Sequence, residues 1–194
     1  MPLKLTDQEK AVLDGKEGRV KQAAMDFRQE HLDHEEKMIH GGSGLENATD
    51  YEIWLEKIHA AVTWEYSEAL VPASVYWGID NHRIVGIIQI RHILNQFLRN
   101  TYGHIGYGVH PSERRKGYAT EMLAQALVQC RELGIEKALL SCDTNNIGSA
   151  KTILKNGGIA DKVFTEEDDE LEKGYSDVVA GRLHNLNDVV AEMD

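Results

Sequence analysis

The chain is poor in cysteine and proline, short of positive charge, and without a long apolar run. Cys130 and Cys142 are its two cysteines among 194 residues, too few for a disulfide framework or a four-thiolate zinc site. No metal is expected. No apolar stretch approaches the ~18 residues a membrane helix needs, which excludes a spanning segment. The opening MPLKLTDQEK mixes charged with apolar side chains and lacks the hydrophobic stretch of a secretory signal. A reducing cytoplasm is the expected compartment. Lys and Arg number 21 against 32 Asp and Glu, a formal net charge of −11. Binding nucleic acid needs a basic surface, so nucleic acid is not expected as a partner. Two phosphate motifs are also missing. There is no Gly-x-x-x-x-Gly-Lys-Ser/Thr, and Gly106-x-Gly108 meets Pro111 where a dinucleotide fingerprint needs its third glycine.

What remains suits a globular protein: 42% apolar and 27% charged residues. The length fits one domain with at most a short extension. Val20, Ala23, Ala24, Phe27 and His31 recur at helical spacing, predicting a helix from about Glu17 to Glu36. The glycine-rich run His40 to Gly44 breaks it and reads as a mobile loop. Thr49-Asp50-Tyr51-Glu52 reads as a capping box opening a second helix, with Ile53, Trp54, Ile58, Ala61 and Val62 on one face. After Pro72 the pattern turns β-branched and aromatic. Val75–Ile79 and Ile84–Ile90 flank Asp80-Asn81-His82, a hairpin signature. Ile105–Val109 is a further strand, followed by a long helix from Gly117 that Gly134 stops. A strand over Lys137–Cys142 and a short helix over Ile147–Asn156 come next. A last hairpin pairs Ile159–Phe164 with Tyr175–Ala180 around an acidic run, Glu166 to Glu172. Helices, antiparallel strands and then strand–helix–strand–helix imply an α/β domain with a mixed sheet. One domain over residues 1–181 is expected. The tail at residues 182–194 reads as an extra helix or a dimer contact. Leu3-Lys4-Leu5 reads as a short opening strand.

The chemistry lies between His104 and Thr120. A strand runs into a basic turn, Arg114-Arg115-Lys116-Gly117, which opens the long helix. Free N–H groups and the positive end of the helix dipole make such a turn an anion site. Gly117 allows close approach to the backbone, and Ala119 keeps the first turn open.

Arg114-Arg115-Lys116-Gly117-Tyr118-Ala119 fits (Gln/Arg)-x-x-Gly-x-(Gly/Ala). In this strand–turn–helix context the chain resembles the GCN5-related N-acetyltransferases, most of all over Leu70 to Phe164. The resemblance implies a mostly antiparallel central sheet with one splayed parallel pair and flanking helices. It implies acetyl-CoA as co-substrate, its diphosphate on the N–H groups of Arg115, Lys116, Gly117, Tyr118, Ala119 and Thr120, its pantetheine arm between the strands ending at Val109 and Cys142. Asn146 matches the asparagine that faces the arm, and also reads as a helix N-cap. The resemblance also implies a small-molecule amine or a peptide as acceptor.

An amine attacks a thioester only when neutral, and a lysine-like amine has a pKa of ~10.4. A main-chain N–H near Val109 suits the oxyanion. His104 stands where the family often carries a glutamate base, and reads either as that base or as a structural strand-end residue. The family's usual tyrosine acid is missing, because Ile153 or Leu154 occupies its place. Tyr107 and Tyr118 read as packing residues, and Cys142 as a buried small residue rather than a nucleophile. The loop from His40 to Glu46 is expected to close over the acceptor. The acidic run reads as a solvated hairpin tip, with attraction of a cationic amine as the alternative. A non-catalytic CoA-binding or regulatory module on the same fold is the second reading; an unrelated α/β binding domain is the third.

Overall fold

β-Branched and aromatic residues on either side of Asn81-His82 fold back on themselves. They form β2 (Ala73–Asp80) and β3 (Arg83–Arg91), paired antiparallel with Asp80 opposite Arg83. Asn81 and His82 take the left-handed φ values of 46° and 64° that a two-residue hairpin turn demands. The computed structural model describes residues 4–7, 17–63, 71–164 and 178–183. Strand β1 (Lys4–Asp7) lines the outer edge of β2, and β4 (Ile105–Val109) lines β3, giving the order β1-β2-β3-β4. A second sheet, in the order β5-β7-β6, holds β5 (Ala138–Asp143), β6 (Gly158–Phe164) and β7 (Val178–Leu183).

Two apolar clusters cover opposite faces of the first sheet. Helices α1 (Glu17–Asp33) and α2 (Tyr51–Ala60) bring Phe27, Tyr51 and Trp54 onto Trp77 and Ile87. Helix α3 (Gln96–Asn100) is short and precedes β4. On the other face, α4 (Tyr118–Glu132) and α5 (Ile147–Lys155) bring Met122, Leu123 and Ile153 onto Ile88, Ile90 and Leu140. Each of these aliphatic side chains contributes roughly 1.5–3 kcal/mol on burial. Gly134 follows α4 with φ 76° and ends it, as the sequence pattern predicts.

The structure departs from the sequence reading in several places. Helix α1 ends at Asp33, three residues early. Helix α2 is capped by Asp50, whose carboxylate accepts from the N–H groups of Glu52 and Ile53, and not by Thr49. Ile53 and Val62 point outward (66% and 47% exposed) while Tyr51 and Leu55 turn inward. Helix α3, capped by Asn95, is an element the periodicity did not reveal. Gly181–Leu183 lie within β7, which pairs Phe164 with Val178 and Gly158 with Leu183. The acidic run and residues 184–194 lie outside the described residues.

The loop expected to be mobile is instead packed. Ile39, Gly41, Gly42 and Leu45 are buried, and Trp54 Nε1 donates to Gly42 O at 2.9 Å. A Cβ at Gly41 would collide with the Gly106 carbonyl, and Gly41 has a φ of 80°. These glycines let the loop lie directly on β4.

Candidate active site

Among the described residues, main-chain pairing joins β4 and β5 only near their beginnings. His104 N–H donates to Leu139 O at 2.7 Å, and Gly103 bridges Leu140. Beyond that point no ladder joins the two strands among the described residues. The β3–β4 pairing decides what faces the gap. His110 N–H donates to Val85 O, and Arg91 N–H to His104 O. Antiparallel pairs alternate, so the main-chain groups of Ile105, Tyr107 and Val109 turn away from β3 and toward β5. Val109 O accepts from Arg114 Nε at 3.2 Å. An opened edge of this kind needs polar partners from elsewhere.

At the end of β4 the chain makes a short 3-10 turn (Pro111–Glu113) and then enters α4. Arg115 (φ 63°) and Gly117 (φ 91°) both adopt left-handed backbone. The N–H groups from Arg115 to Thr120 donate to no protein acceptor among the described residues. Nothing lies within 4 Å of where a Cβ on Gly117 would sit. Consecutive unbonded N–H groups at a helix start form a concave donor array for an anion, reinforced by the helix dipole.

A profile described as Acetyltransferase (GNAT) domain matches residues 22–159, more than half of the chain. The chain belongs to the GNAT acetyltransferase family. No curated protein matches it in sequence. Among solved structures it is similar to RimL, a ribosomal L7/L12 alpha-N-protein acetyltransferase in complex with coenzyme A. That pair shares 14% identity, covers 95% of this chain and 94% of that one, and has a TM-score of 0.64. It is also similar to the microcin C7 self-immunity acetyltransferase MccE in complex with acetyl-CoA and AMP (16% identity, 94% and 92% covered, TM-score 0.63). A third is a chimera of the Vibrio cholerae spermidine N-acetyltransferase SpeG with hSSAT (18% identity, 98% and 99% covered, TM-score 0.62). At these identities the structures show a shared fold.

Two of the three basic side chains of this turn are engaged by carboxylates. Arg114 forms an ion pair with Glu36, Nη1 to Oε1 at 2.6 Å and Nη2 to Oε2 at 2.9 Å. Burial alone would raise the Glu36 carboxyl; the Arg114 pairing outweighs it and holds Glu36 below the ordinary range. Lys116 and Arg83 both reach the buried Glu113 at 2.6 Å. Behind them, Glu30 accepts from Ser112 N–H at 2.6 Å and stands 2.8 Å from the buried His110 Nδ1. The turn is therefore braced from α1 by Glu30 and from the segment just after it by Glu36, and Arg115 alone of Arg114, Arg115 and Lys116 has no carboxylate partner among the described residues. Glu30, Glu36 and Glu113 were not legible as site residues, since their partners stand up to 82 positions away. Tyr118 donates to Asp80 at 2.8 Å, tying the start of α4 to the hairpin.

Three side chains line the region where β4 and β5 part. His104 is half-buried, and its Nδ1 accepts the Leu139 N–H at 3.0 Å. That bond leaves Nε2 carrying the ring proton. Burial, with the nearby charges of Arg99 and Arg91, pushes the His104 pKa down to about 4. Tyr107 is the second. Its hydroxyl reaches α5 and lies 2.7 Å from Ser149 Oγ. Burial, partly offset by the Ser149 bond, pushes its pKa up to about 12. Cys142 is the third, its thiol pushed up by burial and so kept protonated. At the start of α5, Asn146 Oδ1 caps the helix by accepting from Ser149 N–H at 3.0 Å. In the position of the usual tyrosine, Ile153 is buried and Leu154 is 57% exposed.

Proposed function

We propose that this GNAT domain transfers the acetyl group of acetyl-CoA to a primary amine by direct attack in a ternary complex. The observation that carries the reading is the pairing of a gap with an anion site. Among the described residues, main-chain pairing between β4 and β5 is limited to the His104–Leu139 bond and the Gly103–Leu140 bridge, and the unbonded N–H groups of Arg115 to Thr120 follow the other end of β4. Both features match what the coenzyme requires. The open surroundings of Gly117 admit a diphosphate. The edge groups of Ile105, Tyr107 and Val109 suit the pantetheine amides, and so does the Asn146 amide nitrogen.

When bound, acetyl-CoA supplies the activated thioester. Val109 N–H, which turns away from its β3 neighbour Gly86 and toward the gap, stabilises the developing oxyanion. Tyr107 supplies the proton for the departing thiolate, and solvent, which receives the proton shed by the amine, restores the phenol. Its high pKa keeps the hydroxyl protonated at neutral pH, and Ser149 holds it toward α5. The usual tyrosine on α5 is thereby replaced by one from the opposite strand. His104 serves as a positioning residue: with Nδ1 committed to Leu139 it fixes where the gap begins and donates from Nε2. The amine's proton leaves to solvent.

Calorimetry with acetyl-CoA tests the cofactor site, and Gly134 provides an internal control. Gly117 and Gly134 flank α4, both have positive φ, and both would place a Cβ in open space. Gly117→Glu and Gly134→Glu therefore carry similar backbone strain. The account predicts at least about tenfold weaker binding (~1.4 kcal/mol) for the first variant only. Equal affinity in both would contradict it. The non-catalytic reading predicts binding without thiol release across a panel of amines; the hydroxyl placed by Tyr107 favours the enzyme.

A further inference from the structure

On the face of the sheet that carries α1 and α2, a polar row interrupts the apolar cluster. Along β3, Ile87 packs into that cluster, and the next residues on the same face are Gln89 and Arg91. Their partners on β4 are Gly106 and His104. Gln89 Nε2 donates to Ser43 Oγ at 2.6 Å in the packed loop. Arg91 Nη1 donates to Gly103 O at 3.1 Å, and its guanidinium stands 5.6 Å from the centre of the Tyr102 ring. A Cβ on Gly106 would lie 4.0 Å from Arg91 Nη1. The guanidinium is thus partly buried beside the start of the β4–β5 gap, against a strand surface kept bare by glycine.

The charge at this place is anomalous. The chain carries −11 overall, yet no acidic side chain among the described residues forms an ion pair with Arg91. Burial lowers its pKa to about 10, with only the Tyr102 phenol acting to raise it. Arg99 and Arg91 both press the neighbouring His104 toward neutrality. By contrast, Arg114 meets Glu36, and Arg83 and Lys116 meet Glu113. A guanidinium has five donors in a planar fork, and Gly103 O engages one nitrogen. Burying a charge without a counter-ion is costly unless a ligand supplies one.

We infer that Arg91, with Gln89 and Tyr102 beside it, holds a carboxylate on the acceptor, so that the acceptor is an amine that also carries an acidic group. The inference rests on the acetyltransferase reading above and adds the substrate class to it. A planar bidentate fork matches a carboxylate in shape as well as charge. Polyamines, being cationic without a carboxylate, meet a like charge at Arg91 and are disfavoured.

The test is thiol release from acetyl-CoA with matched acceptors: tyrosine and tyramine, serine and ethanolamine, lysine and cadaverine, and short peptides with aspartate or asparagine at the second position. The expected result is at least a tenfold higher kcat/KM for the carboxylated member of a matched pair. Arg91→Gln is expected to bring that ratio toward one through the KM of the carboxylated member, with acetyl-CoA affinity unchanged. Arg91→Lys keeps the charge without the fork and should give an intermediate ratio; it also serves if the glutamine variant fails to fold. Equal or faster turnover of the decarboxylated or asparagine members would overturn the inference. So would a ratio untouched by either variant, or an enzyme that binds acetyl-CoA and acetylates no carboxylated acceptor. Loss of acetyl-CoA binding by the wild-type chain would instead overturn the acetyltransferase reading.

Discussion

A histidine on a strand before a glycine-containing turn invites a base assignment, because its ordinary pKa of ~6.5 suits the task. In the folded chain the residue type matters less than the bond it makes. Leu139 N–H occupies Nδ1 of His104, and that contact spans 35 positions of sequence. No local pattern could announce it. Tyr107 shows the converse: it reads as packing, and only the fold brings its hydroxyl to Ser149. The two residues yield opposite expectations. Tyr107→Phe should lower kcat by about 10²-fold while acetyl-CoA affinity stays within about twofold, measured by thiol release and calorimetry. His104→Gln, whose amide oxygen can accept the Leu139 N–H, should keep most of the activity and the same pH–rate profile between pH 6 and 8. A drop of about 10²-fold with an altered profile would restore His104 as the base.

At the level of elements, hydrophobic period and capping signals revealed most of the helices and strands. The β2–β3 hairpin and the stop of α4 at Gly134 follow from turn chemistry that acts within a few residues. The run from His40 to Gly44 was misleading for a physical reason. Glycine permits mobility, and it equally permits one backbone to lie on another, and composition does not separate the two. Here the second use applies, as Gly41 sits against Gly106. Gly41→Ala should therefore act on stability first. A forced positive φ and a backbone clash together predict a loss of roughly 2 kcal/mol, read as a lower melting temperature in thermal denaturation. A variant of unchanged melting temperature with a raised acceptor KM would favour the mobile-loop reading instead.

For the molecule as a whole, the order of elements made an α/β domain legible. The division into two sheets was not, because it depends on where pairing stops rather than on which strands exist. Charge is organised at this scale too. Burial is the largest cause holding His31, His92 and His104 below the ordinary histidine value. Unfolded histidines take up protons below pH ~6.5 and these three resist doing so, so stability should fall as pH drops through that value. Glu30, Glu36 and Glu113 are held below the ordinary carboxylate range despite burial, by Ser112 and His110, by Arg114, and by Lys116 respectively. Their contribution is present above pH ~4.5 and is lost as pH falls through their lowered values. Melting temperature should accordingly rise from pH 5 to about pH 7 and then level. A melting temperature that stays flat or rises on acidification would contradict the assignment of these buried groups.

The gap and the donor array are the centre of the account, and a crystal structure of the chain with coenzyme A tests them most directly. The account predicts diphosphate oxygens within hydrogen-bond distance of the N–H groups between Arg115 and Thr120, and the pantetheine arm between β4 and β5 with the sulfur near Tyr107. Coenzyme bound elsewhere, or β4 and β5 joined by a continuous ladder past His104, would contradict it.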